Sequence, residues 1–495
     1  MNNHVIYRKV KNGNPTGDAM PFVHDNKLHL FHLASPLEKI SHPERVCNSL
    51  KHLVTTDLIN WQELPDALLP GIDKNSPDRD GIWTGSIVFY KNVFHFFYTG
   101  YAIHNNFPQT ICHATSLDCV NFEKDKKNPI IIPDTKYYET VDWRDPFVFW
   151  NDNEKLFWMI ISARYNQGPQ NLRAVLVLYK SKNLETWDHA GPFYSPWDTY
   201  CIECPELFLL DGFWYLAYSR FSEKAQTIYR YSKDLSGPWR IPKIEAFDGR
   251  RWYAAKSAEF LGKRYSFGWI HDRDGFTDDG NWLWGGDMAL PREVYKLSDN
   301  ELRTRVPECI IQNLKQCAKE SSFIPVLGSW EVSGNNWIPR DEESSSYGFV
   351  DLTINEMYAE LMICPSSSNG NFGLLLKSKK DLSNGLIVEF SPERQSISII
   401  PIPQPLDTFW RDLTDRKTPV PDPDGPRAVE QRIDIGGNKI INCSILISGS
   451  LVEVFINNEI SMSYRYYLSG DYQLGFYSQF AKTKFMEVKL FSNQI

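Results

Sequence analysis

The chain has 495 residues, 42 % of them apolar and 23 % charged, with a formal net charge of -8. That length exceeds most single hydrophobic cores, so two or more domains are expected. The acidic balance, with no dense Lys/Arg cluster, argues against nucleic acid as a partner, and no apolar run reaches the roughly 18 residues that suggest a membrane span.

In chain order, the opening MNNHVIYRKVKNGNP lacks the apolar core of a secretory signal. The chain as given therefore reads as cytoplasmic, or as a secreted form already processed. Next comes GDAMPFVHDNKLHLFHL, residues 17 to 33, and a similar stretch returns as WRDPFVFWNDNEKLFWMI and as IECPELFLLDGFWYLAYS. Each unit has an acidic or small polar residue, an apolar strand, a turn of Asn, Asp or Gly, an aromatic strand and a third strand. The units close on TTDLINW, TSLDCVNF, SKNLETW and SKDLSGPW. A fifth, more divergent unit starts near WYAAKSAEFLGKRYSFGWIHD. Val, Ile, Phe and Tyr dominate the strands, and HDNK, YKN and LDG are hairpin turns. Antiparallel units of about four strands, repeated five times, predict an all-β fold with a five-bladed β-propeller over residues 1–307. ECIIQNLKQCAKESS, 308–322, reads as a helical linker. Alternating strands over 323–495 predict a β-sandwich that supports the propeller, with carbohydrate binding or dimer contacts as lesser roles.

Aligned on their turns, the units place Asp18, Thr84, Asp145 and Glu203 at one position, where each first strand begins. First strands line the centre of a propeller, so three carboxylates should meet in one funnel. A single Asp-Pro or Glu-Cys-Pro is equally turn chemistry. Three acids at an equivalent position are different, because like charges brought together destabilise a fold unless a site uses them. The nine scattered cysteines fit free thiols better than a disulfide framework. Cys201 and Cys204 have the spacing of a zinc or thiol-exchange motif, but no second CxxC or HxxxH completes a ligand set. They read as flanking Glu203, and no metal or cofactor is called for.

Two carboxylates across a pocket can break a glycosidic bond, one attacking the anomeric carbon and the other protonating the leaving oxygen; a separation of about 5 Å gives a retaining reaction. Trp83, Trp143 and Trp197 lie beside the funnel positions in sequence, and core packing accounts for each as readily as sugar contact does.

The segments IWTGS (82–86), WRDP (143–146), IECPELF (202–208), WYAAKSAEF (252–260) and ALPREV (289–294), in that order, resemble glycoside hydrolase family 32, the β-fructofuranosidases such as invertases, inulinases and levanases. LVEVFINNE resembles the closing strands of that family's sandwich. The resemblance implies Asp18 as nucleophile, Glu203 as general acid and then base, and Asp145 as the acceptor of fructosyl hydroxyls. It also implies Arg144 beside them, and Trp83 and Ser86 in the fructosyl pocket. The implied reaction releases terminal fructosyl units from sucrose or fructans through a covalent intermediate. The implied partner is a fructose-containing oligo- or polysaccharide, and a homo-oligomer stays open. Rival readings are a fructosyltransferase, a hydrolase of another furanoside such as an arabinoside, and a non-catalytic sugar-binding propeller. Two departures stand out: NPTGDAMPF replaces the family's NDPNG, and Glu206 stands where the family has Asp, read as a structural carboxylate.

Overall fold

The computed structural model describes residue 9 and residues 12–353, 356–365, 369–413, 422–435, 439–468 and 472–492. Most of the amino-terminal stretch without a signal pattern lies outside them. The architecture is almost entirely β, and the α-helices among the described residues are Glu308–Leu314 and Thr408–Leu413. Contacts divide the chain into two compact units. One is Met1–Asp272 with Leu283–Arg303, and the other is Arg273–Trp282 with Thr304–Ile495.

The first unit is a succession of antiparallel groups. Thr16–His24, Lys27–Ala34, Ser49–Thr55 and Gln62–Leu68 pair in order, and so do Gly81–Tyr90, Val93–Tyr101, Gln109–Ser116 and Glu123–Lys124. Arg144–Asn151, Leu156–Arg164, Ala174–Ser181 and Asp188–Tyr194 form the third group, and Cys201–Leu210, Phe213–Phe221 and Gln226–Ser232 the fourth. Trp252–Phe260 pairs with Lys263–Arg273, in a sheet that Trp282–Met288 joins to the first group. The five leading strands are neighbours in sequence order, and Trp252–Phe260 returns to lie beside Thr16–His24.

Local chemistry sets this pattern. Asp25 and Asn26, Lys91 and Asn92, and Asp211 and Gly212 all have positive φ. That is the geometry of two-residue hairpin turns whose twist matches the strands, and Asn, Asp and Gly tolerate it best. The unit endings are also turns. Thr55 Oγ1 accepts the amides of Asp57 and Leu58, while Asp57 Oδ1 accepts those of Ile59 and Asn60. Ser181 and Asn183 repeat the arrangement. The buried Leu58, Cys119 and Leu184 each take positive φ in these turns.

In the second unit two antiparallel sheets share one apolar core. Trp337, Ile445, Val454 and Phe485 come from one sheet, and Leu374, Val388, Ile397 and Phe476 from the other. The excursion Arg273–Trp282 belongs here because Asp278 accepts the amides of Tyr467 (2.7 Å) and Leu468 (3.0 Å).

Candidate active site

Each leading strand of the first unit carries a register shift near its start. This break in the ladder turns side chains out of the regular alternation. Asp18, Thr84 and Asp145 stand six residues before the last paired residue of their hairpins, His24, Tyr90 and Asn151. Six before Leu210 is Cys204, so Glu203 lies one residue earlier than the sequence alignment has it. The second-strand residue 11 positions after Asp18, Thr84 and Glu203 does not pair at the same depth in every hairpin. His29 and His95 pair two residues inside their hairpins, with Phe22 and Val88, whereas Trp214 pairs one inside, with Leu209.

Glu203 still reaches the other acids. Its Oε1 accepts from Arg144 Nη2 at 2.8 Å and its Oε2 from the Tyr253 hydroxyl at 2.6 Å. Arg144 also donates to Asp142 Oδ1 (2.5 Å) and Gln109 Oε1 (3.1 Å), and its Nε lies 3.9 Å from Asp145 Oδ2. Asp145 Oδ2 accepts the Cys204 amide at 2.8 Å, and its own amide donates to Thr99 Oγ1 at 2.8 Å. Asp18 takes three donors: Trp269 Nε1 at 2.9 Å on Oδ1, and the Thr84 hydroxyl at 2.5 Å and the Cys204 thiol at 3.6 Å on Oδ2.

The charges act on one another. Burial raises the Asp18 carboxyl above its ordinary range, against the Thr84 bond, and the charge of Glu203 adds to the rise. Burial pushes Asp145 up to about 7; Arg144 opposes the rise, and Glu203 and Asp18 reinforce it. The buried thiols of Cys201 and Cys204 are likewise pushed upward by burial, away from the thiolate that metal binding or exchange needs. Among the described residues no group of three or more His, Cys, Asp or Glu is arranged to hold a metal.

The other expected site residues make contacts of their own. Ser86 is tied into the neighbouring strand, donating to Pro146 O and accepting the Val148 amide, each at 2.9 Å. It lines a cavity with Glu206 and Lys256. Trp83 donates to Val46 O (2.9 Å) and stacks on Tyr101 at 4.2 Å. Trp143 is wholly buried in a core cluster, while Trp197 is exposed. Glu206 is buried and accepts the amide and hydroxyl of Ser257 at 2.8 Å each. Tyr253 and Trp269 were missed. Tyr253 sits inside WYAAKSAEF, one residue before Ala254, the counterpart of Cys204 in the fifth leading strand; that equivalence to Glu203 was the available signal. Trp269 lies on a second strand with no local mark. Beside Asp18, glycine at position 17 has a steric reason: a Cβ there would lie 2.2 Å from Cζ2 of Trp284, which packs against Trp269 at 5.5 Å.

Residues 15–305 match the sequence profile of the glycosyl hydrolases family 32 N-terminal domain. The chain belongs to glycosyl hydrolase family 32. This is a family of glycoside hydrolases, and the family 32 chain has curated relatives of several names. It is 27 % identical over 323 residues to a sucrose-6-phosphate hydrolase of Zymomonas mobilis, a match covering 60 % of each chain. To a raffinose invertase of Escherichia coli it is 26 % identical over 447 residues, 85 % of this chain and 81 % of the relative. To a fructan 1-exohydrolase of Leymus chinensis it is 28 % identical over 298 residues, 53 % of this chain and 48 % of the relative. Its match thus spans less than two thirds of several relatives. Among solved structures, sucrose-6-phosphate hydrolase from Lactobacillus gasseri superposes with a TM-score of 0.70 at 18 % identity, covering 97 % of this chain and 91 % of that one. Exo-inulinase from Aspergillus awamori gives 0.70 at 19 %, covering 98 % and 96 %.

Proposed function

We propose that this chain is a retaining glycoside hydrolase that releases terminal β-D-fructofuranosyl units from sucrose or a fructan. One observation carries the reading: Asp18, Asp145 and Glu203, from three leading strands, converge on shared partners, since Cys204 donates its amide to Asp145 and its thiol to Asp18, while Arg144 donates to Glu203 and lies 3.9 Å from Asp145. In the first step an Asp18 oxygen attacks the anomeric carbon. The glycosidic C–O bond breaks as Glu203 hands its proton to the leaving oxygen. In the second step Glu203 takes a proton from water, whose oxygen attacks the same carbon and releases Asp18. Asp145 accepts hydrogen bonds from sugar hydroxyls as positive charge develops on the ring. Arg144 and Tyr253 position Glu203, and Trp269 and Thr84 position Asp18. Family membership and the relatives' names, which share sucrose-type and fructan substrates, support this assignment.

The five leading strands, each neighbouring the next and the last neighbouring the first, support a five-bladed propeller over residues 1–307. The two sheets with a common core support a sandwich over 323–495. The test is fructose release from sucrose, inulin and levan by the wild type and by Asp18→Asn. Release that the substitution abolishes is the expected result. Turnover by Asp18→Asn at the wild-type rate would remove Asp18 from its role.

A further inference from the structure

The loops leading into Arg144 and Cys201 build an aromatic ladder. Tyr138 packs against Trp143 with centroids 5.4 Å apart and lies nearly parallel to Tyr165 at 5.9 Å. Tyr165 in turn stacks on Trp197 at 5.1 Å, with 9° between the rings. Tyr165 follows strand Leu156–Arg164, in which Ser162 pairs with Arg144, and Trp197 lies four residues before Cys201. The ladder therefore rises at the strand ends that carry the three acids, and the six residues from Trp197 to Glu203 span at most about 20 Å.

Its outermost rung is built rather than left over. Trp197 is 44 % exposed and has φ +56°, a backbone region that bulky residues rarely occupy. Its loop is held on both sides: the Tyr165 hydroxyl bonds Ser195 Oγ at 2.9 Å, and the Asp198 carboxylate lies 3.7 Å from Arg230. Gly168, at φ +99°, leaves room that no other residue would, since a Cβ there would sit 2.8 Å from indole Cζ3. Tyr165 covers one face of the indole. A sugar ring offers an apolar C–H face of matching size. Beside this rung the Gly168 carbonyl accepts from Arg173 Nε at 2.9 Å, and Arg173 pairs with Glu139 at 2.9 Å.

We propose that Trp197, backed by Tyr165, is a platform for a sugar unit on the leaving-group side of a fructan chain, beyond the unit bonded to the departing fructose. The inference rests on the fructosidase reading and adds an oligomeric substrate to it. The experiment compares kcat/KM on sucrose, 1-kestose and inulin for wild type, Trp197→Ala and Trp197→Tyr, with melting temperatures checking the fold. Trp197→Ala is expected to lower the inulin-to-sucrose ratio about tenfold, and Trp197→Tyr to keep most of it. An equal effect on all three substrates, or none, overturns the platform while fructose release by the wild type leaves the activity standing. No release by the wild type from any substrate overturns both.

Discussion

Asp145→Asn should destroy activity and stabilise the fold, more so at high pH. Asp145 ordinarily titrates near 3.8 and in the folded chain at about 7, because burial, Glu203 and Asp18 outweigh Arg144. A carboxyl raised by folding binds its proton more tightly in the native state. Its contribution is favourable below the unfolded pKa and is lost as pH climbs towards the folded one. Asparagine carries no charge in either state and can still accept the Cys204 amide. The variant's advantage over wild type should therefore grow between pH 5 and pH 8, by about 2 to 3 kcal/mol. In a unit of this size that is a difference of about 5 °C in melting temperature. Paired calorimetric melts at the two pH values read it directly. An advantage that is flat or shrinks from pH 5 to pH 8 would refute the electrostatic account of the three acids.

Three further outcomes follow from the same geometry. Gly17→Ala should drive a methyl into Trp284 and displace Asp18, with a loss of about 1–3 kcal/mol in denaturant melts and a lower kcat. Tyr253→Phe removes the 2.6 Å bond to Glu203 and should cut kcat about tenfold with KM and melting temperature little changed; a rise in KM alone would place Tyr253 on the sugar instead. Burial and neighbouring positive groups lower His52 to about 3 and His29 to about 4. Their contribution is complete above pH 6.5 and is lost as pH falls towards 4, so His52→Gln should flatten the acid side of the stability profile.

The strands were legible because their hairpins use residues that accept positive φ, and because the Ser/Thr-x-Asx endings are self-contained turns. Both are local physics, repeated along the chain. The three acids were legible for the same reason, as marks at the start of repeated strands. The alignment nevertheless slipped by one at Glu203, since pattern counting cannot see where a bulge shifts the register. Residues supplied from another group were not legible. Trp269 reaches Asp18 across 251 positions of sequence, and nothing near it signals the bond. Ser86 was expected in the pocket from the resemblance of its segment; the backbone partners of its hydroxyl on the adjacent strand could not be read from that segment. Tryptophans divide in the same way: Trp143 is buried in the core and Trp197 is exposed, and composition could not tell them apart.

The most direct test of the central claim is to trap the intermediate. Glu203→Gln, mixed with a fructosyl donor whose leaving group departs without protonation, should form the fructosyl-enzyme faster than it can be hydrolysed. Quenched digestion and mass spectrometry should then find one fructosyl residue on the peptide that carries Asp18. A fructosyl residue on any other peptide, or turnover of the donor with no adduct at any time point, would contradict Asp18 as the nucleophile.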